Sequence, residues 1–206
     1  MAMLDRAAIA LLKPVLDRGG AGLHRLGVGA DAVTWAGFAL GLAAAAAIAC
    51  GAYASGLALM LASRLCDGLD GAVARHSQPT DRGAFLDIVL DFVFYASIPL
   101  AFAIADPATR ALPAAALLAA FVATGSSFLA YAVLAERRGI ASTAYPNKGF
   151  FYLGGLTEAT ETLLCFVLMC LLPAWFGVLA YAFAAMCGLT FVTRLIAGWQ
   201  TLGPPR

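Results

Sequence analysis

Asp67, Asp70, Asp87 and Asp91 stand in a stretch flanked on both sides by apolar sequence. An ionised carboxylate in hydrocarbon costs roughly 2.5–3.5 kcal/mol even on a lenient insertion scale. Four on adjacent helices also repel one another, and bound cations are the simplest remedy. Asp67 and Asp70 are three residues apart and share a helix face; Asp87 and Asp91 are four apart and share a face of the next helix. A tight turn brings the two faces together. Oxygen donors with no clustered histidine or cysteine favour Mg²⁺ or Mn²⁺ over zinc. Two such ions balance four carboxylates, and paired hard cations suit an in-line displacement at phosphorus. Gly71, Ala74 and Gly83 interleave with these aspartates beside Arg75. Their small size lets a ligand come close, and the combination fits a nucleoside diphosphate lying over the helix ends.

The elements that position these residues are membrane helices. The chain has 206 residues, 62% of them hydrophobic and only 12% charged, with a mean hydropathy of +0.86. That composition excludes an ordinary soluble domain. A transmembrane helix needs about 20 apolar residues. Six segments qualify, at about 32–50, 53–75, 83–105, 111–135, 149–171 and 174–198. Gly51, Asp106-Pro107 and Pro173 mark short turns on one side; Arg75–Gly83 and Glu136–Lys148 form polar turns on the other. The expected fold is all-α: a polytopic bundle of six transmembrane helices in one domain, 1–206, with its core at 32–198. Residues 1–30 form an interfacial segment. There Leu4, Ala8, Leu11, Leu12 and Val15 recur at helical spacing between charges, an amphipathic interfacial helix broken near Pro14. Charges at Asp5, Arg6, Lys13, Asp17 and Arg18 interrupt any signal-peptide core. The five cysteines all fall in apolar segments without metal-ligand spacing and read as packing residues.

Of the 13 Lys and Arg, Arg110 alone falls in a loop on the outer side, and Arg64 and Arg194 lie within spans. The other ten gather on one side, which the positive-inside rule makes cytoplasmic. Both termini and the aspartate cluster then face the cytoplasm, where nucleotides are found. The bilayer is the expected environment, and no nucleic-acid partner is expected.

A second group of polar residues enters the apolar spans. Arg64, Arg194 and Lys148 could hold a phosphate, and Glu158 and Glu161 could meet hydroxyls or an amine of an acceptor. The alternative is structural pairing, such as Glu161 with Arg194. A cation transporter also places carboxylates in a membrane, but it puts them near the midplane on broken helices. Here they cluster at one end beside Arg75.

The run Asp67-x-x-Asp70-Gly71-x-x-Ala74-Arg75, then Gly83-x-x-x-Asp87-x-x-x-Asp91, resembles the signature of the CDP-alcohol phosphatidyltransferases at every fixed position. Thr34 matches the threonine of the Pro-Asn-x-x-Thr opening seen near helix 1 in many members, while Ala30-Asp31 replaces the Pro-Asn pair. The resemblance implies a CDP-lipid, usually CDP-diacylglycerol, bound with its diphosphate on two metals. An alcohol hydroxyl attacks the phosphorus bearing the lipid, and CMP leaves. It implies that Asp67, Asp70 and Asp87 are metal ligands, that Asp91 is a ligand or the general base, and that Gly71, Ala74, Arg75 and Gly83, with Thr34, line the CDP site. It also implies a homodimer in a bacterial inner membrane. The small-residue spacing Gly37-x-x-x-Gly41 could serve that dimer or packing within one subunit. Fixed cations in the acceptor pocket suit a phosphorylated polyol, such as glycerol 3-phosphate or myo-inositol phosphate. A lipid alcohol such as phosphatidylglycerol is the other candidate acceptor.

Overall fold

Turn chemistry and capping divide the chain into helices close to where the apolar pattern puts them. The computed structural model describes residues 3–77, 80–140 and 156–203, and these form helices and turns with no strand among them. The helices are α1 (Met3–Arg25), α2 (Ala30–Ala49), α3 (Tyr53–His76), α4 (Asp81–Ala105), α5 (Pro107–Arg137), α6 (Ala159–Leu171) and α7 (Phe176–Thr201), with a 3-10 turn at Pro173–Trp175 before α7. Gly51 turns the chain between α2 and α3 at φ 77°, a conformation that glycine adopts without steric cost. The Thr80 hydroxyl accepts the Gly83 N–H at 3.1 Å and caps α4. Asp106 caps α5, and Pro107 occupies the first helical position, where its missing N–H costs nothing.

Several polar groups are buried inside this bundle, and many large apolar side chains face outward. Ser63, Asp70, Glu158, Thr162, Thr190 and Arg194 are buried, while Leu112, Val122, Leu171 and Trp199 are more than half exposed. That arrangement suits a hydrocarbon surround. α2, α4, α5 and the segment Pro173–Thr201 are each long and apolar enough to cross a membrane. α3 is long enough at 24 residues but carries Arg64, Asp67, Asp70 and Arg75. The described part of α6 counts 13 residues.

A core of large side chains ties the helices together at the end away from the aspartates. Phe94, Ile98 and Phe102 of α4 meet Ile48 of α2, Met60 of α3, Leu117 of α5, Phe166 of α6 and Phe176 of α7. Phe102 stacks on Phe176 with centroids 4.6 Å apart and on Tyr53 at 5.5 Å. Above this core, α2 approaches α3 and α4 through glycine. A Cβ on Gly37 would lie 2.9 Å from Cys66 Cβ, and one on Gly41 would lie 2.7 Å from the Phe94 ring. The Gly37-x-x-x-Gly41 spacing is thus used within the subunit.

Two sequence expectations are corrected here. α1 is continuous through Pro14. Proline deprives a helix of one internal bond, but packing of the downstream half on α3 holds the direction. Close approaches at Gly19, Gly20 and Gly68 mark that contact. The expected helix at 149–171 is not helical at 156–158, and α6 begins at Ala159. Glu158 is its N-cap, and the two glutamates close a capping box in which Glu161 Oε2 accepts the Glu158 N–H at 3.2 Å. The Thr190 hydroxyl of α7 accepts the Leu156 N–H at 3.1 Å and holds this helix start in place.

Candidate active site

The candidate site sits where α2, α3 and α4 converge. α3 presents Asp67 and Asp70, α4 presents Asp87 and Asp91, and α2 closes the back with Thr34 and Gly37 around one small cavity. Carboxylate oxygens of Asp67, Asp87 and Asp91 all lie within 4.8 Å of one another. Oxygens bound to a common Mg²⁺ at about 2.1 Å lie at most about 4.2 Å apart, so small side-chain rotations would close this all-oxygen donor set onto a hard divalent cation. Asp70 stands apart from that trio. It is buried, and its Oδ2 is 2.6 Å from the Thr34 hydroxyl. Thr34 Oγ1 also lies 3.1 Å from the Ala30 carbonyl, within its own helix turn.

Arg64 joins the aspartates rather than a separate pocket. Its Nη1 is 2.6 Å from Asp91 Oδ1 and 3.5 Å from Asp67 Oδ1. The Phe94 ring covers the guanidinium, with Cζ 3.8 Å from the centroid. Ser63 supports it, accepting from Arg64 Nη2 at 3.4 Å while donating to the Gly37 carbonyl at 2.7 Å.

Gly71, Ala74 and Arg75 continue the same helix toward its end. A Cβ on Gly71 would meet only Arg75 Nη1, at 3.7 Å, so the space beside Gly71 is clear. Arg75 is half exposed and bonds Asp17 of α1, Nη2 to Oδ1, at 2.7 Å. That hydrogen bond holds the Asp17 carboxyl below its usual range. Gly83 lies in the first turn of α4, where a Cβ would come 3.2 Å from Thr80 Oγ1 and 3.4 Å from Asp31 Oδ1. Asp31, in the first turn of α2, pairs with Arg82 across this rim.

Apart from Arg64, the described acceptor candidates lie at the start of α6 and on α7. Arg194 of α7 is buried, with Nη1 donating to the Thr124 carbonyl at 3.2 Å and its guanidinium over Phe128. It borders a cleft of about 480 Å³ between α5 and α7, lined by Tyr131, Leu134 and Trp199 among others. Glu158 and Glu161 start α6, and Lys148 lies outside the described residues. Among the described residues no ion pair joins Glu161 to Arg194.

Three contacts had different visibility in sequence. Arg64 is three residues before Asp67, a spacing that puts both on one face, so its place at the cluster had a local signal. The Asp17–Arg75 and Asp31–Arg82 pairs join helices 58 and 51 residues apart and had none.

Fold and site define a helical bundle of membrane character with a carboxylate cluster, of the donor type that suits hard cations, built on two adjacent helices. The chain belongs to the CDP-alcohol phosphatidyltransferase family, whose model matches residues 28–194. It is 49% identical over 200 residues to the inner membrane protein YnjF of Escherichia coli strain K12, covering 97% of each chain. A shorter similarity, 47% identity over 68 residues, covers 32% of this chain and 35% of the archaetidylinositol phosphate synthase of Methanothermobacter thermautotrophicus. Two crystal structures of the phosphatidylinositol phosphate synthase of Mycobacterium tuberculosis share the fold. The one with CDP-DAG bound has a TM-score of 0.67 and 24% identity, covering 90% of this chain and 94% of that one. The one in complex with manganese and citrate has a TM-score of 0.69 and 23% identity, covering 89% and 88%.

Proposed function

We propose that this protein transfers a phosphatidyl-type group from a CDP-lipid, CDP-diacylglycerol, to the hydroxyl of a phosphorylated polyol, releasing CMP in phospholipid synthesis. The observation that carries this is the trio Asp67, Asp87 and Asp91, with carboxylate oxygens within 4.8 Å, in a chain matched to the family across residues 28–194. Asp67, Asp70, Asp87 and Asp91 would hold two Mg²⁺ or Mn²⁺ ions, Asp70 once it turns from Thr34. Bound there, such ions neutralise a diphosphate and stabilise the charge that develops at phosphorus. The manganese complex of the mycobacterial fold relative supports this choice of ion.

The chain's own residues do the rest. Gly71, Ala74 and Gly83 leave room for the CDP moiety, and Arg75 and Thr34 offer it donors. Asp91 takes the proton of the acceptor hydroxyl. The new bond joins the acceptor oxygen to the phosphorus bearing the lipid. The bond that breaks is the one from that phosphorus to the bridging oxygen, which departs with CMP. Arg194 and Lys148 provide charge for the acceptor phosphate; Glu158 and Glu161 contribute less, because their capping box already occupies them. Two relatives named as inositol phosphate lipid synthases support inositol phosphate as the first acceptor to try.

The same reading makes 1–206 one membrane domain of six spans, α2 to α7, with α1 on the cytoplasmic interface. It places the protein as a homodimer in a bacterial inner membrane, termini and site toward the cytoplasm. The test incubates purified protein with CDP-diacylglycerol, Mn²⁺ and separate alcohols, inositol phosphate and glycerol 3-phosphate first, reading CMP release and product lipid mass. Release that requires Mn²⁺ and a phosphorylated polyol is expected. No CMP with any alcohol would overturn the assignment, and native mass spectrometry of the same sample reads the dimer.

A further inference from the structure

Arg64 is outside the family signature, yet it is the cation in direct contact with the carboxylate trio. Its side chain is 12% exposed. Its Nε is buried with no hydrogen-bond partner among the described residues. Only its terminal nitrogens are engaged, and they face Asp91, Asp67 and Ser63. Phe94 lies against the guanidinium at 3.8 Å, a cation–π contact that holds the charge in place whichever way the carboxylates turn. Without cations the trio would be mutually repulsive in a low-dielectric setting.

From this we infer that Arg64 is a resident counter-cation: it holds Asp91 and Asp67 in register before a divalent ion arrives, and it competes with that ion for Asp91. It is a positioning residue and does not touch the acceptor. This rests on the reading of Asp67, Asp87 and Asp91 as cation ligands. Two consequences follow. The metal-free protein is more stable with Arg64 than without it, because removing one partner leaves buried charge uncompensated. Divalent cations bind less tightly with Arg64 present. If Asp91 is released for about a tenth of the time, the apparent Kd is raised about tenfold.

The experiment measures Mn²⁺ binding to detergent-purified protein by titration calorimetry, and the Tm of each variant with chelator and with saturating Mn²⁺. No substrate is present. Arg64→Met keeps the apolar stem and removes the charge. It is expected to bind Mn²⁺ about tenfold more tightly than wild type, to melt lower in chelator, and to recover most of that loss in Mn²⁺. Arg64→Lys keeps the charge but loses the planar fork, and is expected to fall between the two. If Arg64→Met does not fold, Arg64→Lys decides: tighter binding than wild type supports the inference, and equal or weaker binding overturns it. Equal or weaker binding by a folded Arg64→Met also overturns it. A wild type that binds no Mn²⁺ removes the metal-site reading itself, which is a separate outcome.

Discussion

Asp91 is the residue on which contacts and chemistry meet. It belongs to the trio within 4.8 Å and also takes the 2.6 Å contact from Arg64. As general base it must accept a proton; as ligand it need only offer an oxygen. Asparagine keeps the oxygen and loses the basicity. Asp91→Asn is therefore expected to cut the rate of CMP release by about 10²-fold or more while lowering CDP-lipid affinity modestly. Single-turnover rates and equilibrium CDP-lipid binding separate the two, and a parallel fall in both would make Asp91 a ligand alone. Asp87, exposed at the mouth of the site, serves as the contrast. In Asp87→Ala, Mn²⁺ affinity and turnover are expected to fall together, because the role is coordination only. The four aspartates were legible in sequence because i,i+3 and i,i+4 spacings put each pair on one face. The Thr34–Asp70 contact was legible only as a match in position. No spacing rule announces a bond between helices 36 residues apart.

The packing of α1 on α3 makes the signature helix rigid from behind. A Cβ on Gly20 would lie 2.6 Å from Ala72 Cβ and 2.8 Å from its carbonyl carbon, while a Cβ on Gly22 meets nothing within 4 Å. These two glycines of one helix therefore have opposite expected responses. Gly20→Ala must push the backbones apart and is expected to cost about 1–3 kcal/mol. Gly22→Ala is expected to gain about 0.4–1 kcal/mol by restricting the unfolded chain. Thermal melts in detergent compare them. Equal responses would mean that α1 does not dock on α3 in solution. The start of α6 teaches the limit of sequence reading at this scale. Glu158 and Glu161 are three apart, which is the spacing of both a shared helix face and a capping box. The usual capping signature starts with Ser or Thr, so a glutamate there read as helix interior. Thr190, 32 residues on, fixes the start from another helix, and local pattern cannot see it.

At the scale of the whole molecule, the two ends of the bundle differ in kind. One end gathers the aspartates, Arg75, Arg82, Arg137 and Arg138. The other carries Arg110, whose charge is held by the Tyr53 hydroxyl at 2.6 Å beneath the Phe102 stack. A single cation committed to an aromatic cluster says little about orientation, so the weight falls on the crowded end. Accessibility to a membrane-impermeant maleimide tests this in intact spheroplasts. The background is Cys50→Ala with Cys66→Ala, because Cys50 is exposed at the Arg110 end and Cys66 is half-buried beside the aspartates, while Cys165, Cys170 and Cys187 are buried. Onto it go Ala108→Cys, exposed in the first turn of α5, and Ser77→Cys, exposed at the end of α3. Ala108→Cys is expected to label at once and Ser77→Cys only after permeabilisation. The reverse pattern would put Asp67, Asp87 and Asp91 outside, away from CTP-derived donors. The proposed transfer would then lose its source of nucleotide, however well the carboxylates bind Mn²⁺.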